Sequence, residues 1–125
     1  MPIVIDQLNH TDLPGSALAY PALENVSFTL RDGEFLGIIG HTGSGKSTLV
    51  QHLNGLLLPT SGSVLVDGLD TRDKKQRREI RSRVGMVFQY PEYQLFEETV
   101  LLDVSFGPKN MGLPEGEVRE RALAA

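Results

Sequence analysis

The chain has 125 residues, 40% of them hydrophobic and 22% charged, a composition typical of one soluble globular domain. Its formal net charge of -4 argues against a general nucleic-acid-binding protein, which normally carries a basic surplus. The absence of cysteine excludes disulfides and thiolate metal sites. No apolar stretch approaches the ~20 residues of a membrane helix, so we expect no direct membrane span.

Apolar runs and turn signals predict strands that alternate with helices along the chain. The predicted strands are short apolar or alternating segments at 3–8, 22–30, 35–39, 63–67 and 84–89. Helices are predicted from an apolar stripe at 49–57, which Gly55 ends, from the charged run 73–83, and from about residue 98 onward. This alternation indicates an α/β fold.

Residues 40–48, "GHTGSGKST", match the P-loop pattern G-x-x-x-x-G-K-[ST]. Glycines let the backbone curl so that successive N–H groups point at phosphate oxygens. Lys46 then supplies a point charge for the β- and γ-phosphates, and Ser47 a hydroxyl for Mg²⁺. The alternative, an accidental glycine turn, is expected on the order of a few times per thousand chains of this length. His41 stands at a variable position, where we expect it to tune the loop.

Two longer segments, 40–68 and 84–112, closely resemble ATP-binding subunits of ABC transporters, and more narrowly those of energy-coupling factor (ECF) importers. The stretches "GHTGSGKST", "QHLNGLL" and "FQYPEYQLFEETV" stand almost in this form in the second of the two ATPase subunits of such importers. The resemblance implies an α/β fold: the N-terminal part of a P-loop (RecA-like) ABC ATPase domain with an antiparallel β subdomain, over residues 1–125.

The same resemblance implies the site residues, with ATP and Mg²⁺ as cofactors. It makes 40–48 the Walker A loop and Gln89 the Q-loop glutamine, which in the family reaches Mg²⁺ and the attacking water. Lys46 and Gln89 would then be catalytic, and Ser47 and Gln89 would contact the metal. The nucleotide-binding residues would be Gly40, His41, Thr42, Gly43, Ser44, Gly45, Lys46, Ser47 and Thr48.

The residue that stacks on adenine stays open at this point. The family usually has an aromatic residue near the N-terminus, and the spacing puts that place near 10–12, where no strong aromatic residue stands. The candidates are His10 and Tyr20, although Tyr20 also suits packing beside Pro21. His10 and His52 are too isolated in sequence to predict a metal site with nearby residues.

The resemblance further implies three partners: a second ECF ATPase subunit, a transmembrane coupling subunit and a substrate-capture membrane subunit. It places the protein at the cytoplasmic face of the cell membrane. The loop 90–98 is the expected docking surface, because Tyr90, Tyr93, Leu95 and Phe96 crowd apolar groups there. The alternative is that some of these side chains cap the core.

Two segments imitate a Walker B strand, and a basic run imitates a nucleic-acid or lipid site. We expect Asp67 in an Asp-Gly turn and Asp103 on a helix, so neither suits Walker B. The basic run 74–83 is better explained as a solvated helix face, because Asp73 and Glu79 can pair at helical spacing with basic residues and no aromatic residue is interleaved. The pairs expected are Asp73 with Arg77 and Glu79 with Arg83.

A complete ATPase of this family also needs a signature motif, a Walker B Asp-Glu pair and a switch histidine, and none of these occurs in the chain. We therefore expect the N-terminal part of a longer ATPase. The alternative is a truncated nucleotide-binding fragment without hydrolysis or transport; a P-loop kinase is disfavoured because nothing resembles a phosphate-acceptor site. The strand at 35–39 would present an unpaired edge, which predicts marginal stability and aggregation for the isolated chain.

Overall fold

The computed structural model describes all 125 residues, which divide into two compact units, Met1–Met86 and Val87–Ala125. The strands are β1 (Ile3–Asp12), β2 (Tyr20–Leu30), β3 (Ser61–Val66) and β4 (Leu69–Asp70). The helices are α1 (Lys46–His52), α2 (Lys74–Arg83), α3 (Val100–Asn110) and α4 (Glu115–Ala124), with a 3-10 turn at Pro91–Gln94. None of these helices is long and apolar enough to span a membrane.

The first unit is built on a four-stranded antiparallel sheet in the order β2-β1-β3-β4. Strand β1 is central, and Ile3 pairs with Leu30 of β2 on one side and with Val66 of β3 on the other. Apolar side chains from this sheet, α1 and α2 form one core, which consists of Ile3, Ile5, Leu8, Leu23, Leu49, Val64, Val66 and Ile80. The predicted strands in these regions are confirmed, with β1 and β2 extending further into the predicted loop.

A bulge in β1 explains how Ile5 and Leu8 both reach the core although they are an odd number of residues apart. Gln7 has a φ of 47°, and the pairing register shifts between Ile5 and Leu8. The extra residue therefore turns Leu8 inward, where it is fully buried. Gly62 of β3 lies against this bulge with a φ of 80°, and a Cβ at this position would overlap the Gln7 carbonyl oxygen.

The two predicted inner strands, 35–39 and 84–89, are wrong: the structure has no strand at either segment. Phe35 is fully exposed, Ile39 is 97% exposed and Val87 is 80% exposed. The run 35–39 was expected to be a strand buried on both faces, but neither segment is among the strands of the sheet. A lone strand leaves its backbone N–H and C=O groups unpaired, so such a segment gains little from an extended conformation.

Helix α1 is shorter than the predicted apolar stripe. It ends at His52, and Gly55 follows with a φ of 74°, its N–H donating to the His52 carbonyl at 3.3 Å. Leu49 is buried in the core, whereas Leu56 is 45% exposed. Only the first part of the predicted apolar stripe is therefore helical, because a glycine in the left-handed region ends the helix.

The two aspartates of the segments that imitate a Walker B strand, Asp67 and Asp103, lie where the sequence predicts them. Asp67 and Gly68 have φ values of 51° and 77° and connect β3 to β4, as in a type I′ hairpin turn. The Asp67 carboxylate forms an ion pair with the Arg83 guanidinium. Asp103 lies in the first turn of α3, so one carboxylate is in a hairpin turn and the other is on a helix.

Helix α2 confirms one of its two predicted ion pairs. Glu79 pairs with Arg83, but the pair of Asp73 with Arg77 is wrong. Asp73 is instead the N-cap of α2, and its carboxylate accepts backbone N–H groups of the first turn. The Arg77 guanidinium donates to the Thr71 carbonyl at 2.9 Å, so it is occupied elsewhere.

The second unit contains two helices in contact, α3 and α4, preceded by the 3-10 turn. The Thr99 hydroxyl caps α3 by accepting the Leu102 N–H at 3.2 Å. Ser105 of α3 and Val118 and Ala122 of α4 are buried. Helical material after residue 98 is thus confirmed.

Candidate functional site

The glycine-rich loop 40–48 leads into α1 in the first unit, and its shape depends on glycine. Gly43 and Gly45 have φ values of 83° and 96°, which L side chains rarely adopt. A Cβ on Gly45 would lie 2.9 Å from the Ala22 carbonyl oxygen and 3.1 Å from a Leu23 methyl carbon. The beginning of α1 therefore sits directly on strand β2.

Lys46 folds its ammonium group back onto this loop. Its Nζ donates to the Gly40 carbonyl, to the His41 carbonyl at 2.7 Å and to the Ser44 hydroxyl at 3.2 Å. Lys46 takes part in none of the ion pairs of the structure. The Lys46 ammonium therefore has only uncharged oxygens as partners, and a bound anion would neutralise its positive charge.

The first turn of α1 supplies further groups for an anion. The first N–H groups of a helix have no intrahelical partner, and the N-cap Gly45 has no side chain to accept them. The exposed Ser47 carries its hydroxyl on the same turn. No group of three or more His, Cys, Asp or Glu could hold a metal ion in this structure, so a Mg²⁺ here would depend on Ser47 and on phosphate oxygens. These residues fit a magnesium-bound phosphate chain.

His41 and Gly40 shape the entrance of the loop. The His41 Nδ1 donates to the Thr42 carbonyl at 3.0 Å, so its ring is turned toward its own backbone. A Cβ on Gly40 would lie 2.6 Å from the Ser44 Oγ. Both observations agree with a structural part for these positions, and the tuning of the loop by His41 stays a prediction.

Gln89 lies in the second unit, whereas the nine loop residues lie together in the first. The Gln89 side chain is exposed, and its Nε2 donates weakly to the Tyr90 hydroxyl at 3.4 Å. Its part in contacting Mg²⁺ and water stays a prediction.

The two candidates for the adenine contact differ in what their rings already contact. His10 uses both ring nitrogens, Nδ1 toward the Leu58 carbonyl at 3.1 Å and Nε2 toward Asp12 Oδ1 at 3.0 Å. Its ring also meets the His52 ring edge-to-face, and its side chain is 13% exposed. Tyr20 stands opposite Asp12 in the β1–β2 register and is 59% exposed. Only Tyr20 therefore presents a free aromatic face.

Sequence reasoning missed that His10 and His52 come together. His52 is completely buried at the end of α1, and its Nδ1 donates to the Thr48 carbonyl at 2.8 Å. Burial lowers the pKa of His52, and the neighbouring His10 lowers it further. No spacing rule could have joined a residue of β1 to one of α1, because only the tertiary fold places them side by side.

Comparisons with known proteins show which family the chain is similar to. Residues 23–123 match the family described as ABC transporter. The chain is 60% identical over its whole length to the energy-coupling factor transporter ATP-binding protein EcfA2 of Symbiobacterium thermophilum, of which it covers 44%. It thus spans less than half the length of the curated relatives it matches.

Solved structures give the same result. The protein cbiO1 of Clostridium perfringens is described as part of the ABC transporter complex cbiONQ; it is 40% identical, with a TM-score of 0.76 over 95% of this chain and 46% of that one. The ATP-binding cassette MJ0796, solved as a dimer with ADP and Pi, is 30% identical, with a TM-score of 0.81 over 98% of this chain and 54% of that one. The antiparallel sheet and helices described above are therefore the N-terminal part of the ABC ATPase fold, and the chain belongs to the ABC transporter family.

Proposed function

We propose that this protein is an ATP-binding subunit of an ECF-type importer, in which ATP binding and hydrolysis drive substrate uptake. The observation that carries the proposal is the Lys46 ammonium, which lies on the loop without a carboxylate partner. The 60% identity to a protein named as an ECF transporter ATP-binding protein supports the transport part. Residues 1–125 would then be part of one ABC ATP-binding domain.

The loop residues would divide the work of holding MgATP. Glycine-rich backbone and the first turn of α1 would donate N–H groups to phosphate oxygens, and Lys46 would bind the β- and γ-phosphates. Ser47 and Gln89 would contact the metal, and Gln89 would orient the attacking water. Bound Mg²⁺ would supply charge neutralisation at the phosphates. We assign the adenine contact to Tyr20, because the His10 ring is already occupied on both nitrogens.

The exposed aromatic segment of the second unit supports a membrane partner. Tyr93 is 81% exposed, Leu95 67% and Phe96 60%, and the Tyr90 ring lies beside that of Tyr93 at 5.6 Å. Apolar side chains this exposed suit docking better than capping of a core. We propose that this segment meets the transmembrane coupling subunit at the cytoplasmic face of the membrane. A second ATPase subunit and a substrate-capture subunit would complete the importer.

A second candidate is nucleotide binding without hydrolysis. The observation that favours it is the exposure of Phe35 and Ile39, because the segment that leads into the loop has no strand partner. In this case the loop would still bind the phosphates, but no carboxylate base would activate water.

A binding assay with a matched lysine control tests the proposal. We expect Lys46→Ala to weaken MgATP binding at least about tenfold, since a charge-assisted contact to phosphate is lost. Lys75→Ala removes an exposed lysine from α2 and should leave affinity unchanged. Equal MgATP affinity for the two variants would refute the phosphate site.

Phosphate release separates the two candidates. The 125-residue chain should release no phosphate above background under either candidate, so the assay is made on a longer form of the protein that includes the signature and Walker B motifs. Steady-state release by that form, abolished by Lys46→Ala, would support the ATPase subunit. Tight MgATP binding by that form with no release would instead favour the binding-only candidate.

A further inference from the structure

The stretch "QHLNGLL", which follows the phosphate loop, contains a buried polar side chain whose role the proposed function does not explain. Asn54 lies just after the end of α1 and is 8% exposed. A buried amide has lost its hydrogen bonds to water, so it is tolerated at little cost only where protein groups replace them. The partners of Asn54 therefore indicate what this residue does.

The Asn54 amide joins the turn after α1 to the segment that follows α2. Its Oδ1 accepts the Leu56 N–H at 3.1 Å, and its Nδ2 donates to the Met86 Sδ at 3.3 Å. A backbone N–H can only donate, so the amide oxygen must face Leu56 and the NH2 group must face Met86. Both ends of the amide are thus used, one within the turn and one to a residue 32 positions further along the chain.

Neighbouring contacts hold the same turn against α2. Gly55 has a φ of 74°, and a Cβ at this position would lie 2.7 Å from the Arg77 Cγ. The Arg81 guanidinium donates to the Gly55 carbonyl at 3.0 Å. These two contacts involve α2 itself, whereas the Asn54 bond reaches beyond the end of α2 to Met86.

Met86 is the residue at which the first unit ends, and the chain continues from it to Gln89. Three residues span at most about 11 Å, because each adds at most about 3.6 Å to a fully extended chain. The Gln89 Cα must therefore stay within that distance of the Met86 Cα. The place of Met86 thus restricts the place of Gln89.

We propose that Asn54 is a positioning residue for Gln89, which it restricts by holding Met86 against the turn after α1. The helix that begins with Lys46 and the chain that leads to Gln89 then share one anchor. The effect on catalysis rests on the proposed function, in which Gln89 contacts the metal and orients water. Because a thioether is a weak acceptor, loss of this bond should displace Gln89 without unfolding the protein.

Substitutions at Met86 test the proposal in a longer form of the protein that includes the signature and Walker B motifs. Met86→Leu roughly keeps the volume and removes the acceptor, whereas Met86→Gln restores an acceptor. We expect Met86→Leu to lower kcat for MgATP hydrolysis about two- to tenfold, with KM nearly unchanged because the loop keeps its own contacts. Met86→Gln should recover most of kcat. Met111→Leu, the same change at an exposed methionine, should leave kcat unchanged.

A double substitution tests whether Asn54 acts through Met86. In an Asn54→Ala background, Met86→Leu should cause no further loss of kcat, because the donor is already absent. An equal loss in both backgrounds would overturn the proposal. So would a loss that Met86→Gln does not recover, or a rise in KM at constant kcat. If Asn54→Ala does not fold, the recovery by Met86→Gln decides.

A measurement without nucleotide separates this inference from the proposed function. Exchange of the Asn54 side-chain NH2 protons with water, followed by NMR, should be about two- to tenfold faster in Met86→Leu than in the unmodified protein. It should be slow again in Met86→Gln. Equal exchange in all three proteins would overturn the proposal. If exchange responds as expected but the unmodified longer form hydrolyses no MgATP, the proposed function fails, whereas the anchoring of Met86 by Asn54 is supported.

Discussion

Two apolar regions of the first unit, the sheet strands and the segment 35–39, differ in how far their side chains are exposed to solvent. Ile5 in β1 is 2% exposed and Val64 in β3 is completely buried, whereas Phe35 and Ile39 are almost fully exposed. The side chains are of the same kind, so hydrophobicity does not separate them. The difference lies in the backbone: β1 has a hydrogen-bonded partner on each side, and 35–39 has none. An apolar run becomes a buried strand only where a neighbouring strand pairs with it.

The sharpest test of this comparison truncates one isoleucine in each region. Ile5→Ala should lower the free energy of unfolding by about 2–5 kcal/mol, because it leaves a cavity in the core. Ile39→Ala should change it by no more than about 0.5 kcal/mol, because the side chain is already in solvent. Urea denaturation followed by circular dichroism measures both. A similar loss for the two variants would mean that 35–39 is paired in solution.

A glycine substitution tests the bulge that turns Leu8 of β1 into the core. Gly62→Ala should cost about 2–4 kcal/mol, because the new Cβ meets the Gln7 carbonyl in a backbone that cannot move away. Gly15→Ala is the control: its φ of 79° matches the 80° of Gly62, but open space surrounds it. That variant should cost about 1 kcal/mol from the left-handed conformation alone. Equal losses would show that the Gly62 contact adds nothing.

The smallest effect is expected from acid titration of the buried histidine. Because its folded-state pKa is lowered by burial, His52 binds a proton more readily in the unfolded chain, so stability should fall as the pH drops below about 6.5. His52→Gln, which can still donate to the Thr48 carbonyl, should show a shallower decline on the acid side. Thermal melts across that pH range measure the difference. An unchanged slope would contradict a buried neutral His52.

The parts of the fold that sequence patterns predicted are those with local causes. The apolar and alternating runs of β1 and β2 and the Asp67-Gly68 turn each depend on a few neighbouring residues, and each lies where expected. The failures depend on distant partners. The run 35–39 needs a neighbouring strand, and the pattern of the run itself does not show whether one is present. Asp73 caps α2 instead of forming the expected ion pair with Arg77. The meeting of His10 with His52 likewise follows from tertiary packing alone.

For the candidate site, the loop residues and their chemistry stay a prediction from the sequence, and the sequence pattern does not indicate which ring is free to stack on a base. The sequence leaves His10 and Tyr20 open as candidates, and only the contacts of His10 with Asp12 and Leu58 distinguish them. Gln89 was assigned by resemblance, and its part stays a prediction because it belongs to the other unit.

The internal hydrogen bonds of Lys46 have a consequence for the cost of binding. By spanning the Gly40 and His41 carbonyls, the side chain ties the two ends of the loop together before any ligand arrives. Much of the conformational entropy of ordering the loop is therefore lost on folding and need not be lost again on association. The loop is therefore preorganised for binding, and the Lys46 ammonium group holds it in shape.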